Sequence, residues 1–328
     1  MKSAGRLISR LGRIYCTKEY NKFMIDLYCL GGASVDLVLD VPRHPQEGEK
    51  LLAHYYGQFP GGFIANTACA AARLGLNTVW GGLVGDDAFG QKIMQSFKEF
   101  GVRVTDIQPQ KDSSSDFTVV LIQPNGERTI LVVPILPTPP YLNDGMRRSL
   151  RNTRIGYTAL YDYDWYMEVA ELLHHGGGKI AADLELNMLQ DIDAAKKMLK
   201  ATDIVFSDQD AVTKLTNNNE VKEIVREILS LGPEMIILTK GAEGSDVFTS
   251  SNFFSTGTYK VSIKDTTGAG DCFHAAFLFG LISNFDLQHC LNFASAASAI
   301  LIQKIGAREG LPSAIEVEKF ITKYKEIS

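Results

Sequence analysis

From Met24 onward, short apolar runs and longer stretches of helical periodicity follow one another along the chain. Apolar runs bounded by Gly, Pro or Asn read as strands, and apolar positions spaced three and four apart read as helices. The pattern predicts strands over Met24–Gly31, Thr78–Val84, Ile155–Leu160, Lys179–Leu184, Ile204–Ser207, Met235–Thr239 and Val247–Thr249. It predicts helices over Asn66–Leu74, Phe89–Phe100, Trp165–His174, Ile192–Leu199, Glu220–Leu229, Gly270–Leu281, Leu287–Ile302 and Ala314–Lys325. Such alternation specifies an α/β fold, a doubly wound and mostly parallel sheet with helices on both faces. Four further runs, Asp36–Val41, Lys50–Phe59, Asp116–Gln123 and Arg128–Pro134, do not alternate with helices. They predict a small separate β-sheet, a lid built from about 36–59 and 116–134, with a hairpin turn at Asn125-Gly126.

Composition narrows this picture. At 328 residues the chain is long enough for one large α/β domain, here 24–328, with a sizeable core. A formal charge of −5 argues against nucleic acid as the main partner, without excluding small phosphates. No apolar run reaches the ~18 residues of a membrane span. The five cysteines are scattered with no C-x-x-C pair, which fits free thiols in a reducing cytoplasm rather than a disulfide framework or zinc site. Residues 1–23 stand apart as a basic N-terminal extension without an expected fixed structure, carrying Lys2, Arg6, Arg10, Arg13, Lys18 and Lys22 against Glu19 alone. That composition fits an amphipathic leader, an organelle transit segment or a mobile tail.

Candidate chemistry sits in three Gly-rich turns. Asp265-Thr266-Thr267-Gly268-Ala269-Gly270-Asp271 follows the strand-like Tyr259–Ile263 and opens an apolar helix. Unpaired N–H groups at such a helix start, with the positive end of the dipole behind them, form an anion site. Asp271 in the same turn is placed to take a proton from a hydroxyl that attacks bound phosphorus. Gly61-Gly62 precedes Asn66, an amide able to cap the next helix or to face a polyol. Thr239-Lys240-Gly241-Ala242-Glu243-Gly244 follows a strand, on the side where α/β sheets bind nucleotides. There is no Walker turn, dinucleotide fingerprint, H-E-x-x-H or G-x-S-x-G elbow, which removes the common routes to a P-loop enzyme, dehydrogenase, zinc hydrolase or serine hydrolase.

Gly61-Gly62 with Asn66 and the following Ala-Ala-Ala-Arg-Leu-Gly, then Asp265-Thr-Thr-Gly-Ala-Gly-Asp271, in this order, resemble the two signatures of the ribokinase-like (PfkB) family of carbohydrate kinases. The resemblance covers roughly 25–312. It implies a kinase using ATP and Mg²⁺, with Asp271 as base and Gly268, Ala269 and Gly270 as the anion hole. It implies sugar contacts at Asp36, Gly61, Gly62 and Asn66, and a nucleotide side at Thr239, Gly241, Gly244, Ser295 and Ala299. Asp265, Thr267, Lys304 and Gly306 fall where relatives hold a monovalent cation such as K⁺. Where the family often has N-x-x-E, this chain has Ser207 and Asp210, so Asp210 is expected to hold Mg²⁺ through water. The lid hairpin Asn125–Ile130 is similar to that of ketohexokinase-like members, and Lys50 and Arg128 are expected to reach the sugar. The resemblance therefore points to a ketose such as fructose. Ribose, sulfofructose or a nucleoside are the alternatives within the family, and a sugar or nucleotide sensor without catalysis is the alternative outside it. Lid strands pair between subunits in relatives, which implies a homodimer.

Overall fold

The computed structural model describes residues 25–124 and 128–327; the basic extension and the tip of the Asn125-Gly126 turn lie outside the described residues. The main sheet has eight strands in the order β14-β13-β12-β11-β10-β9-β1-β4. Its core is parallel, from β12 (Met235–Thr239) through β11 (Ile204–Asp208), β10 (Lys179–Leu184), β9 (Thr153–Ala159) and β1 (Ile25–Leu30) to β4 (Thr78–Gly81). The last two strands, β13 (Ser245–Thr249) and β14 (Phe253–Thr256), are added antiparallel at one edge. Every residue of β1 is buried, as expected of a central parallel strand covered by helices on both faces.

Two apolar clusters cover the two faces. One packs α1 (Phe63–Leu74), α8 (Ala269–Ile282), α9 (Leu287–Leu301) and α10 (Ala314–Ile327) on the sheet. The other packs α3 (Asp144–Arg151), α4 (Tyr163–His175), α5 (Ile192–Leu199), α6 (Gln209–Thr216) and α7 (Val221–Leu231). Helix α8 is apolar around most of its circumference and buried along most of its length, so it is held rigidly between α1 and α9. The lid is a second sheet, β3-β2-β7-β8, made of β2 (Ser34–Asp40), β3 (His54–Gly61), β7 (Phe117–Ile122) and β8 (Arg128–Val133). β7 and β8 pair antiparallel, with Ile122 opposite Arg128, on either side of the expected turn.

Several elements differ from expectation. The predicted strand Thr78–Val84 breaks at Gly82, whose backbone passes the Gly31 carbonyl too closely for a side chain (an ideal Cβ would lie 2.6 Å from that oxygen). Its second half, β5 (Leu83–Gly85), pairs instead with β6 (Gln108–Gln110). Tyr259–Ile263 is not a strand; Lys260 N–H donates to Tyr324 Oη (3.0 Å), and nearby Lys264 N–H to the Ile302 carbonyl (2.8 Å). The strand expected from Lys50 starts at His54, leaving Lys50 in an exposed loop. Helix α2 (Ala88–Phe100) matches its prediction closely. Helices α3 and α6 were not expected, because each is short, polar on balance and buries only two or three side chains; both are held by capping side-chain oxygens, Asn143 Oδ1 accepting from Met146 N–H and Asp208 Oδ1 from Ala211 N–H.

Candidate active site

Between β1 and β9 the strand order reverses: the chain leaves β1 towards β4 on one side, and after β9 builds outward through β10 on the other. Open α/β sheets bind ligands outside the carboxyl ends of their strands at such a point. A cavity of about 720 Å³ lies there, between the lid and the start of α8, with Asp36, Asn66, Asp116, Arg128, Gly268 and Asp271 among its lining.

At its floor α8 begins at Gly268, in the left-handed region at φ 75°. Among the described residues the N–H groups of Gly270 and Asp271 find no hydrogen-bond partner, so two first-turn donors face the cavity end of a fourteen-residue helix. The expected anion-hole N–H of Ala269 is instead turned to the Thr266 carbonyl (3.2 Å). The Asp271 carboxylate accepts a hydrogen bond from Asn66 Nδ2 (2.8 Å), carried on α1. Burial pushes its pKa up to about 6, against the lowering effects of Asn66, His274 and Arg308, with Asp183 adding to the rise. A carboxylate of that basicity is ionised at neutral pH and accepts a proton more readily than an ordinary one.

Beneath Asp271 lies a buried polar cluster. Tyr157 Oη donates to Asp183 Oδ2 (2.6 Å) and lies 2.9 Å from His274 Nδ1, which is 3.3 Å from the same carboxylate. Asp183 raises the pKa of His274 despite its burial. Glu185, just beyond β10, is pushed up to about 7 by burial and then by Asp183.

On the lid side, Asp36 sits on β2 and accepts from Thr118 Oγ1 (2.6 Å). Burial raises its pKa above the ordinary value. Gly61, at the end of β3, faces the Asp36 carboxylate so closely that an added Cβ would lie 2.4 Å from its oxygen and force the carboxylate to move. Gly62 and Asn66 complete this wall. Asp116 Oδ1 accepts from the N–H groups of Ile135 and Leu136 (both 2.8 Å), which fixes it at the cavity rim.

Arg128 spans from β8 to the floor, donating to Thr267 Oγ1 and pairing with Asp265. Asp265 also accepts from Thr267 N–H (2.7 Å) and Gly306 N–H (2.8 Å), and these bonds together hold its carboxyl below the usual range despite its burial. Asp265, Thr267 and Gly306 are thus brought together as expected, but around a guanidinium. Lys304 is not among them; its ammonium reaches the Glu309 carbonyl (3.4 Å). Lys50 is exposed and does not line the cavity.

The residues expected on the nucleotide side lie outside this cavity's lining. Thr239 ends β12, Gly241 and Gly244 bracket the short 3-10 turn after it, and Ser295 and Ala299 lie buried on α9. α9 joins this region to the base, because Ser298 Oγ donates to the Ala269 carbonyl at the start of α8 (2.8 Å). Asp208 and Asp210 are both exposed in the same turn, and Asp208 is spent on capping α6. Among the described residues no group of three or more His, Cys, Asp or Glu could hold a metal ion.

Sequence patterns did not single out Asp116, Asp183, Tyr157 or Arg308. Asp183 is a lone carboxylate near the end of the mostly apolar strand β10, a signal that was present; the others depend on contacts distant in sequence.

A deep cavity at the switch point, a directed carboxylate and orphan helix N–H groups define a phosphotransferase-type site. The pfkB family carbohydrate kinase profile matches residues 24–314. A ribokinase of Lactococcus lactis is 30% identical over 317 residues, covering 93% of this chain and 98% of that protein. Fructokinase-2 of Solanum lycopersicum is 28% identical over 279 residues, covering 78% and 85%. The structure of Arabidopsis thaliana ribokinase complexed with ribose and ATP superposes with a TM-score of 0.81 at 24% identity, covering 91% of this chain and 99% of that one. The chain belongs to the pfkB family of carbohydrate kinases.

Proposed function

We propose that the protein transfers the γ-phosphoryl group of ATP to a primary hydroxyl of a small neutral sugar, with a ketose such as fructose as first choice. The observation that carries this is Asp271, raised in basicity and aimed by Asn66, beside the unpaired N–H groups of α8. Asp271 takes the hydroxyl proton as that oxygen forms its bond to phosphorus. The bond from phosphorus to the ADP oxygen breaks, and ADP leaves. The α8 N–H groups neutralise charge on the transferring group. Mg²⁺, when bound with ATP near Asp210, supplies further positive charge there. A sensor would need neither the base nor its directed amide.

The lining supports a neutral sugar. Asp36, Asp116 and Asp271 face the cavity, and among the described residues its one basic side chain, Arg128, is paired with Asp265. An acidic or sulfonated sugar would meet carboxylates with no free cation, since Lys50 lies outside. Ribose is the second reading, favoured by the relative named ribokinase. A K⁺ ion at Asp265 would have to compete with the Arg128 guanidinium. ADP release across fructose, tagatose, ribose, sulfofructose and adenosine tests this: fructose is expected to give the highest kcat/KM, and a preference for sulfofructose would refute the neutral-sugar reading.

The lid supports a homodimer. Its pairing places Leu37, Val119 and Leu131 in one row, facing away from the cavity, while Asp36, Thr118 and Val132 face it. Leu131 is 54% exposed on β8, one of the two edge strands of the lid sheet. Such an apolar, edge-bearing surface is suited to a second copy of itself. Light scattering is expected to give the mass of two chains, and of one chain for Leu131→Lys; a single-chain mass for the unaltered protein would sink the idea. The free, buried thiols of Cys29, Cys69, Cys272 and Cys290 support a reducing, cytoplasmic setting.

A further inference from the structure

Arg308 lies in the segment between α9 and α10, in none of the Gly-rich turns, and only 3% of it is exposed. It forms no ion pair among the described residues. Instead Nε donates to Asn66 Oδ1, one terminal nitrogen to Ser96 Oγ and the other to the Gly61 carbonyl, each at 2.8 Å. Its guanidinium carbon lies 5.7 Å from the centre of the Phe97 ring. Burying a guanidinium with no carboxylate in ion-pair contact is costly, and a well-packed apolar side chain would avoid that cost. The three acceptors show what the charge does here.

An amide has one acceptor end and one donor end, and a guanidinium only donates. With Oδ1 of Asn66 held by Arg308, the NH₂ end must face Asp271, as it does at 2.8 Å. A flipped amide would set its carbonyl oxygen against the carboxylate and its NH₂ against the Arg308 Nε–H, acceptor facing acceptor and donor facing donor. The same guanidinium fixes the Gly61 carbonyl, at the point where β3 presses on Asp36. One side chain therefore ties the lid's sugar wall to the acid at the start of α8.

We propose that Arg308 is a positioning residue for phosphoryl transfer, orienting the Asn66 amide towards Asp271 and locking the end of lid strand β3 beside it. This rests on Asp271 being the base. The groups acting on Asp271 are Asn66 from α1, His274 and Cys272 from α8 itself, Tyr157 from β9, Asp183 and Glu185 from β10 and beyond, and Arg308. Of these only His274 and Arg308 are basic, so removing Arg308 leaves the acidic neighbours less opposed.

The test is kcat against pH, with thermal unfolding alongside, for Arg308→Met, Arg308→Lys, Ser96→Ala and Asp271→Asn. Arg308→Met is expected to lower kcat at least about tenfold, the scale of a lost charge-assisted hydrogen bond, and to move the acid limb to higher pH. Arg308→Lys keeps the charge but not the fork, so kcat falls while the acid limb stays near its original position. Ser96→Ala loses one Arg308 contact away from the base; its melting temperature falls and its pH profile does not move. Adding Asn66→Ala to Arg308→Met brings no loss beyond Asn66→Ala alone. A folded Arg308→Met protein with unaltered kcat and acid limb would overturn the proposal. If that variant does not fold, unaltered kcat in Arg308→Lys overturns it. Activity surviving in Asp271→Asn would remove the base assignment and this proposal together, whereas loss there beside an unperturbed Arg308→Met removes the proposal alone.

Discussion

Asp271→Asn is expected to lower the rate of sugar phosphorylation by about 10²- to 10⁴-fold, the usual contribution of a positioned general base. The change is nearly isosteric, and the Asn66 NH₂ can still donate to the new amide oxygen, so folding and ligand binding should hold. What disappears is the acceptor for the hydroxyl proton. In the unaltered protein, the base must be ionised to act, and its pKa is raised to about 6. Activity therefore rises with pH through that value and is lost below it as the carboxylate takes up a proton. In Asp271→Asn the residual rate should lack this limb. Steady-state kinetics from pH 5 to 8 checks both; a near-normal rate in the variant would show that another group accepts the proton.

Gly268→Ala is expected to reduce kcat by about 10²- to 10³-fold, the range seen when a donor to developing negative charge is lost. Gly268 sits at φ 75°, where an L side chain is strained, and an added Cβ would lie 2.9 Å from the Ala307 Cβ and 3.0 Å from its Cα and carbonyl oxygen. Backbone cannot yield as a side-chain tip can. Relief must come from the turn itself, which moves the N–H groups of Gly270 and Asp271 off the incoming phosphoryl group. Nucleotide binding away from this turn should survive, so kcat falls more than the KM for ATP rises. A variant with normal kcat would mean that the α8 start does not hold the transferring group.

The layered α/β fold was legible because central strands such as β1 and β10 are mostly apolar and buried along nearly their whole length, between segments of helical periodicity. The lid was legible from strands that do not alternate with helices. What failed was local and physical: α3 is polar, and Tyr259–Ile263 has a strand's composition but no ladder partner. At the site, Asp271, Asn66 and Gly268 stood out because each lies in or beside a Gly-rich turn with a chemical reason for its composition, whereas Asp36 came in only through the family resemblance. Arg308 could not, since its partners Gly61, Asn66 and Ser96 are more than two hundred residues away in sequence. Arg128 was read as a sugar contact, yet its guanidinium is engaged by Asp265 and Thr267, a pairing that only the folded lid creates.

The most direct measurement is mass analysis of the products formed from MgATP and fructose by the unaltered protein, with an acceptor-free reaction beside it. Phosphoryl transfer predicts one fructose monophosphate for each ADP, and almost no ADP without the sugar. ADP formed equally with and without acceptor, or no phosphorylated product from fructose or ribose in a protein that binds ATP, would contradict it.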